Sequence, residues 1–257
     1  MHAGGFSAAS IFPADVARAE AAGASRAELR RVFDDAGIRI AVVEPLTTWL
    51  PSWTPGPDIT PEEIAFASFS EEDVFSMADV LGAEVVSLNE FFGEVVDVKV
   101  AARSMAELCD RAAERGFRIA LEPMPFSGVS DLATAWEIVR GADRANAGLV
   151  LDSWHFFRKG PDLELLRSIP AEHVFAVQLN DAPRLPDGPA KDESMHRRLL
   201  AGDGELPLGE FIAAIPAPWD GRLVGPEIFS DEAWKLPPEE LGRRLGDTVR
   251  EVLSGRG

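Results

Sequence analysis

The stretch that decides the fold reads RIALEPMP at residues 118–125 and GLVLDSWH at residues 148–155. Each part is a short apolar run that ends in a carboxylate, at Glu122 and at Asp152, and residues 131–140 between them have helical apolar spacing. Such runs are typical of strands buried on both faces, and their alternation with helices predicts parallel pairing. Because the carboxyl ends of parallel strands surround the ligand site, we expect the two carboxylates to share one site.

Further apolar runs extend this pattern along the chain: GFSAASIF (5–12), IRIAVVE (38–44), EVVSLNE (84–90), HVFAVQL (173–179) and RLVGPE (222–227). Helical segments separate them and no change in composition marks a linker, so we expect one domain over residues 1–257. The predicted fold is a (β/α)8 TIM barrel, because closure leaves no exposed sheet edge. A doubly wound open sheet is the alternative, although no glycine-rich phosphate loop follows an early strand.

One strand–helix unit is missing at the front of this pattern, because the run at residues 5–12 has no complete unit before it. Three alternatives stay open from the sequence. The start is truncated, or a first unit is present but not recognisable, or the barrel lacks its first strand–helix unit.

Composition excludes several classes of protein. The 43 acidic residues outnumber the 25 basic ones and give a net charge of −18, which argues against binding to a nucleic-acid backbone. The single cysteine, Cys109, excludes an internal disulfide and cysteine-rich metal sites. No apolar run is long enough to span a membrane and no signal peptide is visible, so we expect a cytoplasmic protein.

Four strands end in side chains able to bind a cation: Glu122, Asp152, Gln178 and Glu227. The intervals are 30, 26 and 49 residues, of which the first two match one barrel unit and the third contains a long loop. Three carboxylates that converge repel one another unless a cation neutralises them. Hard oxygen ligands favour Mn²⁺ or Mg²⁺, with Co²⁺ or Zn²⁺ as further options. Glu44 and Glu90 also end strands, but there a helix cap or a surface charge is the preferred interpretation.

Four short motifs at these strand ends resemble those of a known family: Leu121-Glu122-Pro123, Asp152-Ser153-Trp154-His155, Val177-Gln178-Leu179-Asn180-Asp181 and Gly225-Pro226-Glu227. It is the sugar phosphate isomerase/epimerase family of xylose-isomerase-like TIM barrels, which also includes inosose dehydratases, ketohexose 3-epimerases and endonuclease IV. The resemblance extends from about Gly5 to the end of the chain. It implies one divalent metal ion held at the four strand ends. Many members have a histidine where this chain has Gln178, and an amide oxygen favours Mn²⁺ or Mg²⁺ over Zn²⁺.

The resemblance also suggests groups that bind the substrate. His155 occupies a position that faces the substrate in the family, and Arg198 precedes the Gly202–Gly204 turn by the family's usual spacing. A guanidinium there would bind a substrate oxygen in a fork geometry. The alternatives are a histidine packed at a helix start and a solvated basic patch in a flexible loop. Trp49, in the long loop 45–61, and Trp154 are candidates for an aromatic wall, unless Trp49 only covers the barrel end.

Two glutamates that flank a substrate suit proton transfer next to a carbonyl, so we assign that role to Glu122 and Glu227. The expected function is a metal-dependent isomerase or epimerase of a sugar, keto-sugar or polyol that forms an enediolate. A lyase, either an inosose-type dehydratase or a C-glycoside deglycosidase, is the alternative on the same scaffold. A non-catalytic member of the family is a further alternative. An endonuclease would need more histidines and a basic groove. The family also implies a homo-oligomer.

Overall fold

The computed structural model describes residues 1–55, 59–219 and 221–255. Its centre is a sheet of seven parallel strands, each paired with the next in chain order. The strands are β1 Ala8–Ile11, β2 Arg39–Leu46, β3 Val85–Leu88, β4 Arg118–Leu121, β5 Ala147–Asp152, β6 Val174–Leu179 and β7 Leu223–Pro226. The sheet curls into a nearly closed barrel, which confirms the TIM-barrel fold, with one strand–helix unit fewer than eight within the described residues.

The helices cover the outside of the barrel and fill the connections between strands. They are α1 Pro13–Ala21, α2 Arg26–Asp35, α3 Pro61–Ala67, α4 Glu71–Leu81, α5 Val98–Glu114, α6 Leu132–Ala142, α7 Ser153–Arg158, α8 Leu163–Ser168, α9 Ala190–His196, α10 Leu208–Ala214 and α11 Pro238–Leu253. Within the described residues, none of them is both long enough and apolar enough to cross a bilayer.

Side chains of successive strand residues enter two different apolar layers. Ile119 and Leu121 of β4 pack in the large core between strands and helices, together with Leu108 of α5 and Ile138 of α6. Ala120 belongs instead to a small cluster made of strand residues, inside the barrel. This alternation follows from the period of two along a strand.

Two connections contain short helices. Residues 61–81 form α3 and α4, because Ser70 caps α4 by accepting a hydrogen bond from the Asp73 backbone N–H at 3.2 Å. The long loop expected between Gln178 and Glu227 contains the short helix α9. The long loop 45–61 is described except for residues 56–58, and β2 extends to Leu46 at its start.

Candidate functional site

Four side chains at the carboxyl end of the barrel lie close together, and three of them belong to the strand ends singled out by spacing. Ligand atoms of Glu122, Asp152, His155 and Glu227 all lie within 4.8 Å of one another. Glu122 follows β4, Asp152 ends β5, His155 lies on α7 and Glu227 follows β7. The first three are buried, and the side chain of Glu227 is 16% exposed. The sheet therefore gathers residues from distant parts of the chain into one polar cluster.

Gln178 joins the cluster from β6, where the strand register pairs it with Asp152. Its amide Nε2 donates to Glu227 Oε1 at 3.0 Å and to Glu44 Oε2 at 3.5 Å. Its Oε1 is buried and has no hydrogen-bond partner. A buried amide oxygen without a partner is uncommon in a folded protein and is free to bind a cation.

Glu44 also belongs to this cluster, so the helix cap or surface charge preferred for it from the sequence is wrong. It is 5% exposed, and its carboxylate faces Gln178 from β2. The available signal, an acid after an apolar strand, was the same as for Glu122. A single acid of this kind cannot be distinguished by sequence from a helix cap, because the distinction depends on which way the strand side chain points.

Arg198 lies inside the cluster and is only 2% exposed, so the solvated basic patch considered from the sequence is wrong. Its Nη1 donates to Glu227 Oε2 at 2.7 Å and to Asp152 Oδ2 at 3.0 Å. Its Nη2 lies 3.3 Å from His155 Nε2. The guanidinium thus links the carboxylates of β5 and β7 to the imidazole of α7.

Helix α9 and two aromatic rings hold Arg198 in place. Ser194 accepts hydrogen bonds from Arg198 Nε through its backbone oxygen, at 2.9 Å, and from Nη2 through its hydroxyl, at 2.7 Å. The guanidinium carbon lies 5.6 Å from the Trp154 ring centroid and 5.2 Å from that of Phe229. A planar guanidinium with its donors engaged and its faces stacked has little freedom to move.

Burial and mutual repulsion shift the acid–base properties of the cluster. Burial, and then the charges of Glu227 and Asp152, raise the pKa of Glu122 well above its usual value. Burial, helped by the charges of Asp152 and Glu44, outweighs Arg198 and raises the pKa of Glu227 to about 8. Burial also raises the pKa of Glu44.

The two basic groups respond in opposite ways. Burial lowers the pKa of His155 to about 3, so its imidazole is neutral. Burial by itself lowers the pKa of Arg198, but the charges of Asp152, Glu227 and Glu122 raise it overall. The guanidinium therefore stays charged in contact with the carboxylates.

The donor set fits a divalent cation. The cluster contains four carboxyl groups, of Glu44, Glu122, Asp152 and Glu227, and one guanidinium, so when ionised it has more negative than positive charge. Carboxylates together with a free amide oxygen form the hard donor set that Mg²⁺ and Mn²⁺ prefer, and His155 adds a nitrogen acceptable to Zn²⁺ or Co²⁺. A divalent cation bound here would neutralise the negative charge that raises the pKa values of the glutamates.

A cavity of about 680 Å³ opens above the cluster. Its polar lining includes Glu122, His155, Arg198 and Glu227. Its aromatic lining consists of five phenylalanines: Phe12, Phe66, Phe91, Phe126 and Phe229. The cavity therefore combines an acid–base floor with an apolar wall on which a ring can lie.

The two tryptophans expected to bind substrate do not line this cavity. Trp154 is fully buried, and its indole N–H donates to Glu193 Oε1 at 3.1 Å behind Arg198. Trp49 is 8% exposed, and its indole N–H donates to the backbone oxygen of Asn89 at 3.0 Å. Phenylalanines form the aromatic wall instead. Trp154 supports Arg198 because its ring packs against the guanidinium.

The chain is similar to a known protein family and to several characterised proteins. The model of a family described as xylose isomerase-like TIM barrel matches residues 2–250. The 3-dehydroshikimate dehydratase of Pseudomonas aeruginosa is 29% identical over 232 residues, which are 89% of this chain and 35% of that protein. The inosose isomerase of Bacillus subtilis is 33% identical over 152 residues, which are 58% of this chain and 54% of that protein. The chain thus spans about a third to a half of the length of these curated relatives.

Two solved structures share the fold over nearly the whole chain. The IOLI protein with a bound zinc atom has a TM-score of 0.80 at 24% identity and covers 100% of this chain and 91% of its own. A fusion of a xylose isomerase-like TIM barrel with 4-hydroxyphenylpyruvate dioxygenase has a TM-score of 0.80 at 25% identity, with 99% of this chain and 40% of its own covered.

Proposed function

The chain belongs to the xylose isomerase-like TIM-barrel family, and we propose that it is a divalent-metal-dependent dehydratase of a hydroxylated six-membered carbocyclic ketone. The observation that carries this proposal is the meeting of Glu122 and Glu227 with Asp152 and His155, all within 4.8 Å, where both glutamates border a cavity. Both carboxyl groups have raised pKa values, and a raised pKa suits a carboxyl group for exchanging protons with substrate.

In this proposal the two glutamates divide the proton transfers. One carboxylate takes a proton from the carbon next to the ketone, and the electron pair forms a carbon–carbon double bond. The bond to the hydroxyl on the following carbon breaks, and the other glutamic acid gives that hydroxyl a proton, so that water leaves. Glu122 and Glu227 are the candidates because both border the cavity. General acid–base catalysis of this kind contributes about 10²–10⁴-fold.

The other members of the cluster hold and orient. Asp152 and Gln178, together with the two glutamates, are the residues that would hold the metal ion. When bound, a divalent ion polarises the ketone oxygen and neutralises negative charge. The neutral His155 can exchange a hydrogen bond with a substrate oxygen, and Arg198 keeps the carboxylates of Asp152 and Glu227 in place.

Two observations favour dehydration over the isomerisation that the sequence placed first. The names of both curated relatives contain six-membered carbocyclic ketones, 3-dehydroshikimate and inosose, and the match to the dehydratase extends over more of this chain. Loss of water from 3-dehydroshikimate also leads to a flat aromatic ring, which suits the wall of phenylalanines. Isomerisation of an inosose-type ketone is the second candidate, because it starts with the same removal of a proton.

Proton NMR in D₂O tests both candidates in one experiment. The protein, loaded separately with Mn²⁺, Mg²⁺, Co²⁺ or Zn²⁺, is incubated with 3-dehydroshikimate and with an inosose. We expect aromatic dihydroxybenzoate signals from the first compound; a new ketone with deuterium beside it in the second would favour the isomerase instead. If no metal-loaded form yields a product or deuterium exchange with either compound, the proposal is wrong. Protein treated with EDTA is the control.

A further inference from the structure

We infer that Glu193, on helix α9, is a positioning residue that holds Arg198 against Asp152 and Glu227. Glu193 does not touch the cavity floor, and no sequence motif singles it out. The role of Glu193 in holding Arg198 follows from the contacts alone. Only its expected effect on turnover rests on the proposed function. The evidence is a chain of buried contacts that starts and ends at Asp152.

Glu193 is a fully buried carboxylate with three neighbours that donate to it. Oε1 accepts hydrogen bonds from the Trp154 indole at 3.1 Å and from Arg158 Nε at 3.0 Å and Nη2 at 2.5 Å. Oε2 accepts the backbone N–H of Asp187 at 3.1 Å. The side chain of its ion-pair partner Arg158 is only 5% exposed. A buried ion pair of this kind is a poor source of stability compared with apolar packing, so its value lies in fixing one arrangement.

These contacts tie two helices together. Trp154 and Arg158 belong to α7, which begins directly after Asp152 and is capped by the Asp152 carboxylate at 2.8 Å from the His155 N–H. Glu193 belongs to α9, whose next residue, Ser194, binds both Nε and Nη2 of Arg198. Arg198 in turn returns to Asp152 through Nη1. The ring of contacts is therefore closed. Among the described residues of α9, only Glu193 accepts hydrogen bonds from side chains of α7.

Loss of the Glu193 charge would loosen this ring at one point. Helix α9 has seven residues, and no side-chain hydrogen bond caps its start, so its position depends on contacts with its neighbours. A displacement of α9 moves both Ser194 acceptors, and the Arg198 fork then leaves its place between the two carboxylates. Displacements of about 1 Å in a catalytic cluster reduce turnover by about 10²-fold.

The test compares Glu193→Gln, which keeps the acceptor oxygen but removes the charge, with Asn146→Ala. Asn146 lies before β5 at the opposite end of the barrel and donates to the backbone oxygens of Cys109 and Phe117. Its loss lowers stability without a contact to α9. The first measurement is the exchange with solvent of the Arg198 Nε–H, whose ¹H–¹⁵N signal is assigned by its absence in Arg198→Lys. We expect about tenfold or faster exchange in Glu193→Gln and no change in Asn146→Ala.

The second measurement is turnover. We expect kcat to fall about tenfold or more in Glu193→Gln while KM stays within about threefold, and Asn146→Ala to retain both. In the Arg198→Lys background, Glu193→Gln should have no further effect on kcat, because its effect passes through Arg198.

Unchanged exchange of the Nε–H in Glu193→Gln, or equal changes in the Asn146→Ala control, would overturn the inference. If the wild-type protein turns over neither test compound, the proposed function fails, and the exchange measurement still decides the role of Glu193. If Glu193→Gln does not fold, Arg158→Lys removes the planar fork at the other end of the same ion pair and is measured in its place.

Discussion

Arg198 Nη1 lies 2.7 Å from Glu227 Oε2, so the carboxylate proposed to move a proton is already bound to a buried, fixed cation. The same nitrogen serves Asp152 at 3.0 Å. The cluster nevertheless contains four carboxyl groups and one guanidinium. When all four carboxyl groups are ionised, it has excess negative charge. This imbalance gives the metal-free protein a definite dependence on pH.

We expect the stability of the metal-free protein to fall as the pH rises from about 7, where His155 is largely neutral in both states, to about 8.5. The pKa of Glu227 rises from 4.5 to about 8 on folding, so the native state holds a proton that the unfolded state releases. Stability from this group is therefore complete below about pH 4.5 and is lost as the pH rises through 8. Glu122 and Glu44 shift in the same direction. Melting temperatures in EDTA check this, and saturating Mn²⁺ should flatten the profile. A melting temperature that rises toward pH 8.5 in EDTA would contradict it.

Glu227→Gln should abolish turnover yet stabilise the metal-free protein at pH 8.5. The amide cannot exchange the proton, so we expect kcat to fall by about 10²–10⁴-fold. It also removes the buried negative charge that costs free energy at high pH, and each kcal/mol relieved raises the melting temperature by about 2–4 °C for a chain of this size. At pH 5, where Glu227 is largely protonated, the gain should be smaller. Retained activity would show that Glu227 is not a proton-transfer residue.

Gln178→His should shift metal preference toward Zn²⁺. The free Oε1 of Gln178 is a hard donor, whereas an imidazole nitrogen suits Zn²⁺ better. We expect Zn²⁺ affinity to increase by about tenfold or more relative to Mn²⁺. Calorimetric titration of both metals into wild type and variant measures the ratio, with Gln178→Ala as the control that removes the donor. An unchanged ratio of the two affinities would place Gln178 outside the metal site.

Cys109 should react with iodoacetamide only when the protein unfolds. The thiol is fully buried, and burial, followed by the charge of Asp110, raises its pKa to about 12. Because the chain has one cysteine, mass spectrometry reads the reaction directly. Labelling at pH 8 should be slow without denaturant and should accelerate with urea in parallel with loss of structure. Equal rates in the absence and presence of urea would mean that the helix carrying Cys109 opens locally.

The strand ends were the part of the site that the sequence could predict. Glu122, Asp152, Gln178 and Glu227 follow apolar runs at intervals set by the strand–helix unit, and parallel strands bring such positions to one rim. The burial of Arg198 and the role of Ser194 could not be predicted, because they depend on how α9 folds back over the barrel, and its sequence is polar. Trp154 was misplaced for a related reason. Its ring packs against Arg198 and its indole N–H donates to Glu193 of α9, so its place also depends on how α9 lies against α7.

The side chains of the polar cluster come from widely separated segments of the chain. A cut in the connection between α7 and α8 would leave Glu44, Glu122, Asp152 and His155 on one fragment and Gln178, Arg198 and Glu227 on the other. Neither fragment has a complete donor set, so tight metal binding requires that the two halves reassemble with β5 and β6 in register. A metal ion that binds only the reassembled form would favour that association by mass action. The site could thus serve as a readout for fragment complementation.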